Sequence, residues 1–450
     1  MVFFRIRAVR VLRSLLLRDF RSALFVLLLS SAVVCAQQTS APTGVPGFYP
    51  QWLRSSQLSG DWGGVRTHLK EHGVLVNARY ITESGTVYAG GSGAGTASAD
   101  DLALGFDADL KTLAHWDGAH FHFGFSRRHG GSISKDDLAN NILAVQEDYG
   151  AGETNHITEL SVDQNLLHDH WNVKAGAFIM GNDFARNSTL CDFQNLGFCA
   201  HTESLPVNAA WADWPTAELG VRVRYFPHPG WIFGIAAFEA NAANKKARNG
   251  LNLTLEEATG VVIPVEIFRT VNVGKKALPG HYKLGGYYDS SEAAVLANPD
   301  TKRAGRYGGY LLADQVVWNF EPGTKRGLEL FAQYTLSDRV TAPMSDYELL
   351  AADAKGPFRR RPDDYINVGC VRAGLNAAAK NYHQAKLVNT AGGDFLLSGA
   401  ESACEVGYGV QVAPAILIHP NFQFIGNPGT FVYERVSNGW VFGLTTKIVF

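Results

Sequence analysis

From Val74 to the C-terminus, apolar and polar positions alternate with a period of two. In residues 120–126, Phe121, Phe123 and Phe125 share one face and His120, His122 and Ser126 the other, the spacing of a strand whose successive side chains point to opposite sides. The same alternation sets Val221, Val223 and Tyr225 against Arg222 and Arg224. It also sets Leu328, Leu330, Ala332 and Tyr334 against Glu329, Phe331 and Gln333. Charges on one face imply water there. Further strands are predicted at 74–82, 102–111, 156–163, 171–180, 231–240, 261–271, 281–289, 307–319, 365–375, 405–417 and 421–426. Glycine-rich or polar stretches at 89–101, 241–250 and 344–362 read as long loops. The final stretch places Trp440, Phe442, Leu444, Thr446, Ile448 and Phe450 on one face against Val441, Gly443, Thr445, Lys447 and Val449, and the sequence closes on an aromatic residue.

Ahead of this pattern stands one segment of helical period. Trp62, Val65 and Leu69 fall at i, i+3 and i+7, with Asp61 in the first turn and Gly73 as a stop. A short amphipathic helix is predicted. Gly63 and Gly64 weaken it by roughly 1 kcal/mol each relative to alanine, so it must pack on a larger body.

No later segment reaches the roughly 20 apolar residues of a helical span. The chain is nevertheless 46% hydrophobic and 18% charged, with 47 glycines and a mean hydropathy near zero. A strand with one face toward lipid and one toward water gives that balance, because alternate residues cancel in the average. The predicted fold is all-β: a closed antiparallel transmembrane β-barrel with a short N-terminal helical segment. Spread over residues 73–450, sixteen strands take about 24 residues each with their loops; fourteen or eighteen also fit.

Residues 1–36 read as a secretory signal peptide, with six arginines, an apolar run from Ala23 to Val34 and a small Ala36 before Gln37. Val34 before Cys35 disfavours a lipoprotein signal. The predicted division is therefore a signal peptide (1–36), a tether and helix (37–72) and a barrel (73–450). Losing the signal takes the formal charge from −2 to −7, which gives no support to a nucleic-acid partner. Cysteine use fits export: Cys191 and Cys199 are spaced to close one loop as a disulfide, and Cys370 with Cys404 is a weaker second pair. Two free thiols are the plainer alternative for the first pair, and metal ligation needs more partners than Asp192 and His201 supply.

Several motifs together resemble the carbohydrate-selective porins of the OprB-like type, over nearly all of the mature length. They are the stretch from Leu58 to Leu69 with Gly73; Gly181-Asn-Asp-Phe-Ala185; Gly308-Gly-Tyr-Leu-Leu-Ala-Asp-Gln315; Glu405 to Pro414; and His419-Pro-Asn-Phe-Gln onward to Gly429. The resemblance implies a monomeric outer-membrane barrel of about sixteen strands that passes monosaccharides and related small solutes by diffusion. Separately, the alternating last strand that ends on Phe450 predicts insertion by the outer-membrane assembly machinery. The chain departs from the family at Asn421, where Asp is usual, and in the loop between Cys191 and Cys199; these bear on solute preference rather than on fold.

A pore for hydroxyl-rich solutes needs hydrogen-bonding groups of both signs at its constriction. Alternation points Arg128, Lys174, Arg222 and Arg224 inward as donors. It points Glu159, Asp163, Glu329 and Glu405 inward as acceptors, and Gln333 and Gln411 as either. No cofactor or metal is expected: His120 with His122 and His168 with His170 lack further ligands at convincing spacing, and the glycines of 90–95 are followed by no phosphate-binding Lys-Ser/Thr. Alternatives in other classes are a porin for polyols or organic acids, a barrel enzyme, and a structural barrel with a plugged lumen. No nucleophile-elbow motif supports the enzyme.

Overall fold

The computed structural model describes residues 55–149, 152–198, 201–391 and 396–450. The expected signal peptide, the tether as far as residue 54, and Cys199 lie outside the described residues. Sixteen antiparallel strands close on themselves in chain order, with β1 (Val74–Gly91) paired to β16 (Ser437–Val449). Between them run β2 (Thr96–Asp109), β3 (Ala119–Gly130), β4 (Thr154–Leu166), β5 (Trp171–Phe178), β6 (Glu218–Tyr225), β7 (Trp231–Ala240) and β8 (Gly260–Val273). They are followed by β9 (Leu278–Val295), β10 (Asn298–Asn319), β11 (Gly327–Ser337), β12 (Met344–Lys355), β13 (Tyr365–Leu375), β14 (Ala400–Ala413) and β15 (Ile416–Gly426). Closure leaves no strand edge unpaired, the condition for crossing a bilayer with sheet.

The strands meet at two unlike ends. One carries mostly short turns together with the N-terminal helix and Phe450; the other carries the long connections, residues 131–153, 179–217, 241–259 and 376–399 among them. Outward positions hold exposed Leu104, Val221, Ile235, Val265, Leu284, Leu311, Leu330, Leu350, Val406, Phe422, Trp440 and Phe442, a face suited to lipid.

Three readings of strand and loop are corrected. Residues 344–362 are not a loop: β12 fills most of them. Its inward Tyr347 and Leu349 are buried against the connections folded into the barrel while its outward Leu350 is exposed, so apolar residues lie on both faces. Residues 89–101 are mostly strand, with only 92–95 between β1 and β2. Small outward side chains pair there, Ser84 with Ser98 at 2.7 Å and Thr86 with Thr96 at 2.9 Å. The predicted strand 405–417 is the end of β14, a turn at 414–415 and the start of β15.

The helix runs only over Val65–Glu71, and Gly63 and Gly64 precede it with φ of 69° and 97°, a backbone that glycine adopts freely. Its apolar face is not what holds it: Trp62 and Val65 are exposed. Arg66 is buried instead and donates to the Phe450 carbonyl at 2.9 Å, beside a Leu58 amide bonded to Val449. Among the described residues the disulfide is Cys370–Cys404, directly across β13 and β14 on the outer face, and Cys191 is a free thiol.

Candidate functional site

The connection from β5 to β6, residues 179–217, turns into the barrel rather than away from it. It does so because it is apolar where it meets the wall. Phe178, Met180, Phe184, Leu205 and Trp211 form one cluster with Phe238, Val262, Tyr287, Tyr310 and Leu312 of β7 to β10. Fully burying one such side chain stabilises by about 1.5–3 kcal/mol. Two reciprocal contacts fit this wall together: Tyr310 lies over Gly285 and Tyr287 over Gly308, where any Cβ would enter the facing ring. Further along, Leu190, Phe193 and Phe198 join Ile133, Leu138, Leu143 and Val145 of the β3–β4 connection against Phe331, Tyr347, Leu349, Val371 and Ile425.

This fold carries the short helix Met180–Asp183 to the inner wall of β5 and β6. Asp183 lies 2.5 Å from Arg222, 3.0 Å from Arg224 and 3.9 Å from Lys174, and Lys174 pairs with Glu159. Arg224 also donates to the Asp183 carbonyl at 2.7 Å, and Arg222 to Asn172. Burial works against the charge on Asp183, but Arg224, Lys174 and Arg222 outweigh it and hold its carboxyl below the usual range. The result is a cluster of three cations and two carboxylates. Arg222 is buried within it, while the Arg224 side chain is 27% exposed and can meet a solute.

At the far end of the same connection, Trp214 donates to Asp101 at 3.0 Å and stacks under the Arg79 guanidinium, 4.8 Å from its ring. Arg79 itself is about half exposed. Toward the turn end the wall continues polar. His122 sits between Asp107 (2.6 Å) and Asp163 (3.2 Å), His120 lies 3.1 Å from Asp163, and His281 of β9 lies 2.6 Å from Asp314 on neighbouring β10. Asp107, His120, His281 and Lys355 are all partly open, so the polar face lines accessible space up to the level of Asp183.

The opposite side is closed by a network of amides. Glu405 accepts the backbone N–H groups of Gln194 (3.0 Å) and Asn195 (2.8 Å). Asn195 donates to Gln423 at 2.9 Å, and Asn421 to Gln194 at 2.8 Å. The Asn421 amide is a donor here, a role that an ionised Asp could not fill. Tyr347 caps the Gly197 carbonyl and Lys447 the Cys191 carbonyl. Burial pushes the Cys191 thiol up to about 12.

The ten residues singled out in the sequence thus divide. Glu159, Lys174, Arg222 and Arg224 meet at one level around Asp183, and Asp163 lies below them with the histidines. Arg128 is buried 3.9 Å from Asp148. Glu329 stands 3.7 Å from Lys355 on another wall, Gln333 is buried between Leu312 and Leu349, and Glu405 anchors the inward connection. Gln411 donates to the carbonyl of Ala413 at the β14–β15 turn. Asp183, Arg79, Trp214 and the His281–Asp314 pair were not singled out. Asp183 lies inside the Gly181–Ala185 motif, which was the available signal.

An apolar-skirted closed barrel, narrowed by an inward connection that carries opposed charges, defines an outer-membrane diffusion channel, a porin. Residues 94–450 match the carbohydrate-selective porin, OprB family. The chain is 33% identical to Porin B of Pseudomonas aeruginosa over 440 residues, covering 91% of this chain and 94% of that one. It is 28% identical to the putative porin QuiX of Acinetobacter baylyi, covering 94% and 98%. A high-pH structure of Pseudomonas putida OprB superposes with a TM-score of 0.83 at 29% identity, over 88% of this chain and 99% of that one. The chain belongs to the carbohydrate-selective porin family.

Proposed function

We propose that this porin passes monosaccharides such as glucose, and related small neutral solutes, down their gradient, with its selecting contacts at the level of Asp183. The observation that carries this is the meeting of Arg224, Lys174 and Glu159 with Asp183 on the inward connection. A hydroxyl both donates and accepts, so a wall offering both signs exchanges hydrogen bonds with it without holding it. Arg79 over Trp214 supplies a cation and an aromatic surface at the same connection. Flux needs no cofactor and no turnover. The outward apolar face meets outer-membrane lipid, and Phe450 is the mark read by the assembly machinery.

Single-channel conductance of the refolded protein in a planar bilayer tests the reading, with glucose, a disaccharide and a charged solute of similar size added in turn. Open current with glucose-dependent block is the expected result. The cations at this level favour one second reading, passage of small organic acids, and strong anion preference with no response to glucose would establish it instead. A folded barrel without current would leave the enzymatic and structural alternatives.

A further inference from the structure

Barrel interiors that hold water are lined by polar side chains, yet one inner-wall concavity at the turn end is aromatic. It measures about 370 Å³ and lies where the β4–β5 and β6–β7 turns lean over β7 and β8. Phe226, Ile232 and Phe268 supply its apolar lining, and Thr270 and His228 its polar rim. Phe268 and Ile232 are direct neighbours across β7 and β8. Both are half-buried, as is Phe226, so apolar surface stays open inside a wet lumen. The volume is near the lower end of the roughly 300–1,000 Å³ range of small-molecule sites.

The surroundings of Phe268 narrow the choice of ligand. Its ring is parallel within 12° to that of His281, at 5.8 Å between centroids, and 5.2 Å from the Lys283 ammonium. His281 in turn meets Asp314 at 2.6 Å, and Asp314 accepts from Asn187 of the inward connection at 3.1 Å. A flat apolar surface bordered by donors and an acceptor matches a pyranose, whose axial C–H groups form an apolar face inside a rim of hydroxyls. An open-chain polyol or an open-chain acid has no such face.

We propose that this concavity is a second sugar-binding station, on the turn-end side of the Asp183 level, at which Phe268 stacks on the ring of a cyclic sugar. The proposal rests on carbohydrate passage through the lumen. It gives the pore two weak contacts in series, so a sugar released from the first is caught again before it leaves.

The test compares the wild type, Phe268→Ala and Phe268→Trp in planar bilayers, with glucose or the acyclic hexitol sorbitol added on the turn-end side. Retention of compact migration on unheated gels shows which variants are folded. Phe268→Ala is expected to raise the half-blocking glucose concentration about fivefold, Phe268→Trp to restore it, and sorbitol to respond equally in all three. Equal glucose block in wild type and Phe268→Ala overturns the station and leaves the porin reading intact. Liposomes carrying the wild type that fail to swell in glucose overturn carbohydrate passage itself, and the station with it.

Discussion

Two arcs of the same barrel use inward residues for opposite ends. Under β12 to β16 the inward side chains serve as floor and anchor. Tyr347, Leu349, Val371 and Ile425 bury the β3–β4 and β5–β6 connections; Glu405 ties down the Gln194 backbone amide, and Gln423 and Asn421 bond the side chains of Asn195 and Gln194. Along β2 to β6 the inward residues are ion pairs and histidine–carboxylate pairs with open surface. The first arc behaves as protein interior and the second as a channel wall. Position on the inner face therefore does not identify a solute contact; what decides is whether a connection folds over it.

The sharpest way to break the filled arc is Tyr347→Ala. It removes a fully buried ring from the cluster and the bond to the Gly197 carbonyl, at a cost of about 3–5 kcal/mol. Lower thermal stability of the refolded barrel together with larger, noisier single-channel currents is the expected signature; unchanged currents would mean that the connection holds without this arc. On the charged arc, Asp183→Asn leaves Arg222 and Arg224 without their carboxylate, which costs about 3 kcal/mol when a buried pair is broken. Reversal potentials in a salt gradient should shift toward anion selectivity, and a variant with wild-type selectivity would move the selecting level elsewhere.

The smallest effect probes the border between the arcs. Asp148, on the β3–β4 connection, is buried beside Arg128, and its amide donates to Glu83 at 2.9 Å. Burial, partly opposed by Arg128, pushes its carboxyl up to about 7. An acid whose folded value is raised favours its neutral form, so its support for the fold is complete below the ordinary carboxylate range and lost as pH rises through about 7. The protection of amides 141–148, taken relative to their base-catalysed intrinsic exchange, should fall from the ordinary carboxylate range up to about pH 7 and then level off, and lose that dependence in Asp148→Asn. A flat profile in the wild type would remove the titration from the account.

The same contrast explains what could be read from the sequence. Strands were legible wherever one face is apolar for lipid and the other polar for water, as in β3, β6, β11 and β16. β12 was missed because the filled arc makes its inner face apolar too, and the β14–β15 turn because two residues leave almost no gap in the pattern. Arg222, Arg224, Lys174 and Glu159 were found by alternation alone. Their partner Asp183 was not, since periodicity carries no direction for a connection that leaves the sheet. Glu405 and Gln333 were pointed inward by the same rule, which cannot tell an anchor or a buried amide from a wall residue.

The seam where β1 meets β16 sets Arg79 opposite Val449, joining residues nearly a whole chain length apart. Loop-closure entropy must be met before such a contact returns anything. Hairpins such as β9–β10 can form from neighbours as soon as they are made, but the ring itself exists only once its last strand has been delivered. In kinetic terms the barrel should close late and cooperatively, and the Arg66 and Leu58 contacts to the final residues act as a clasp fastened after everything else is in place.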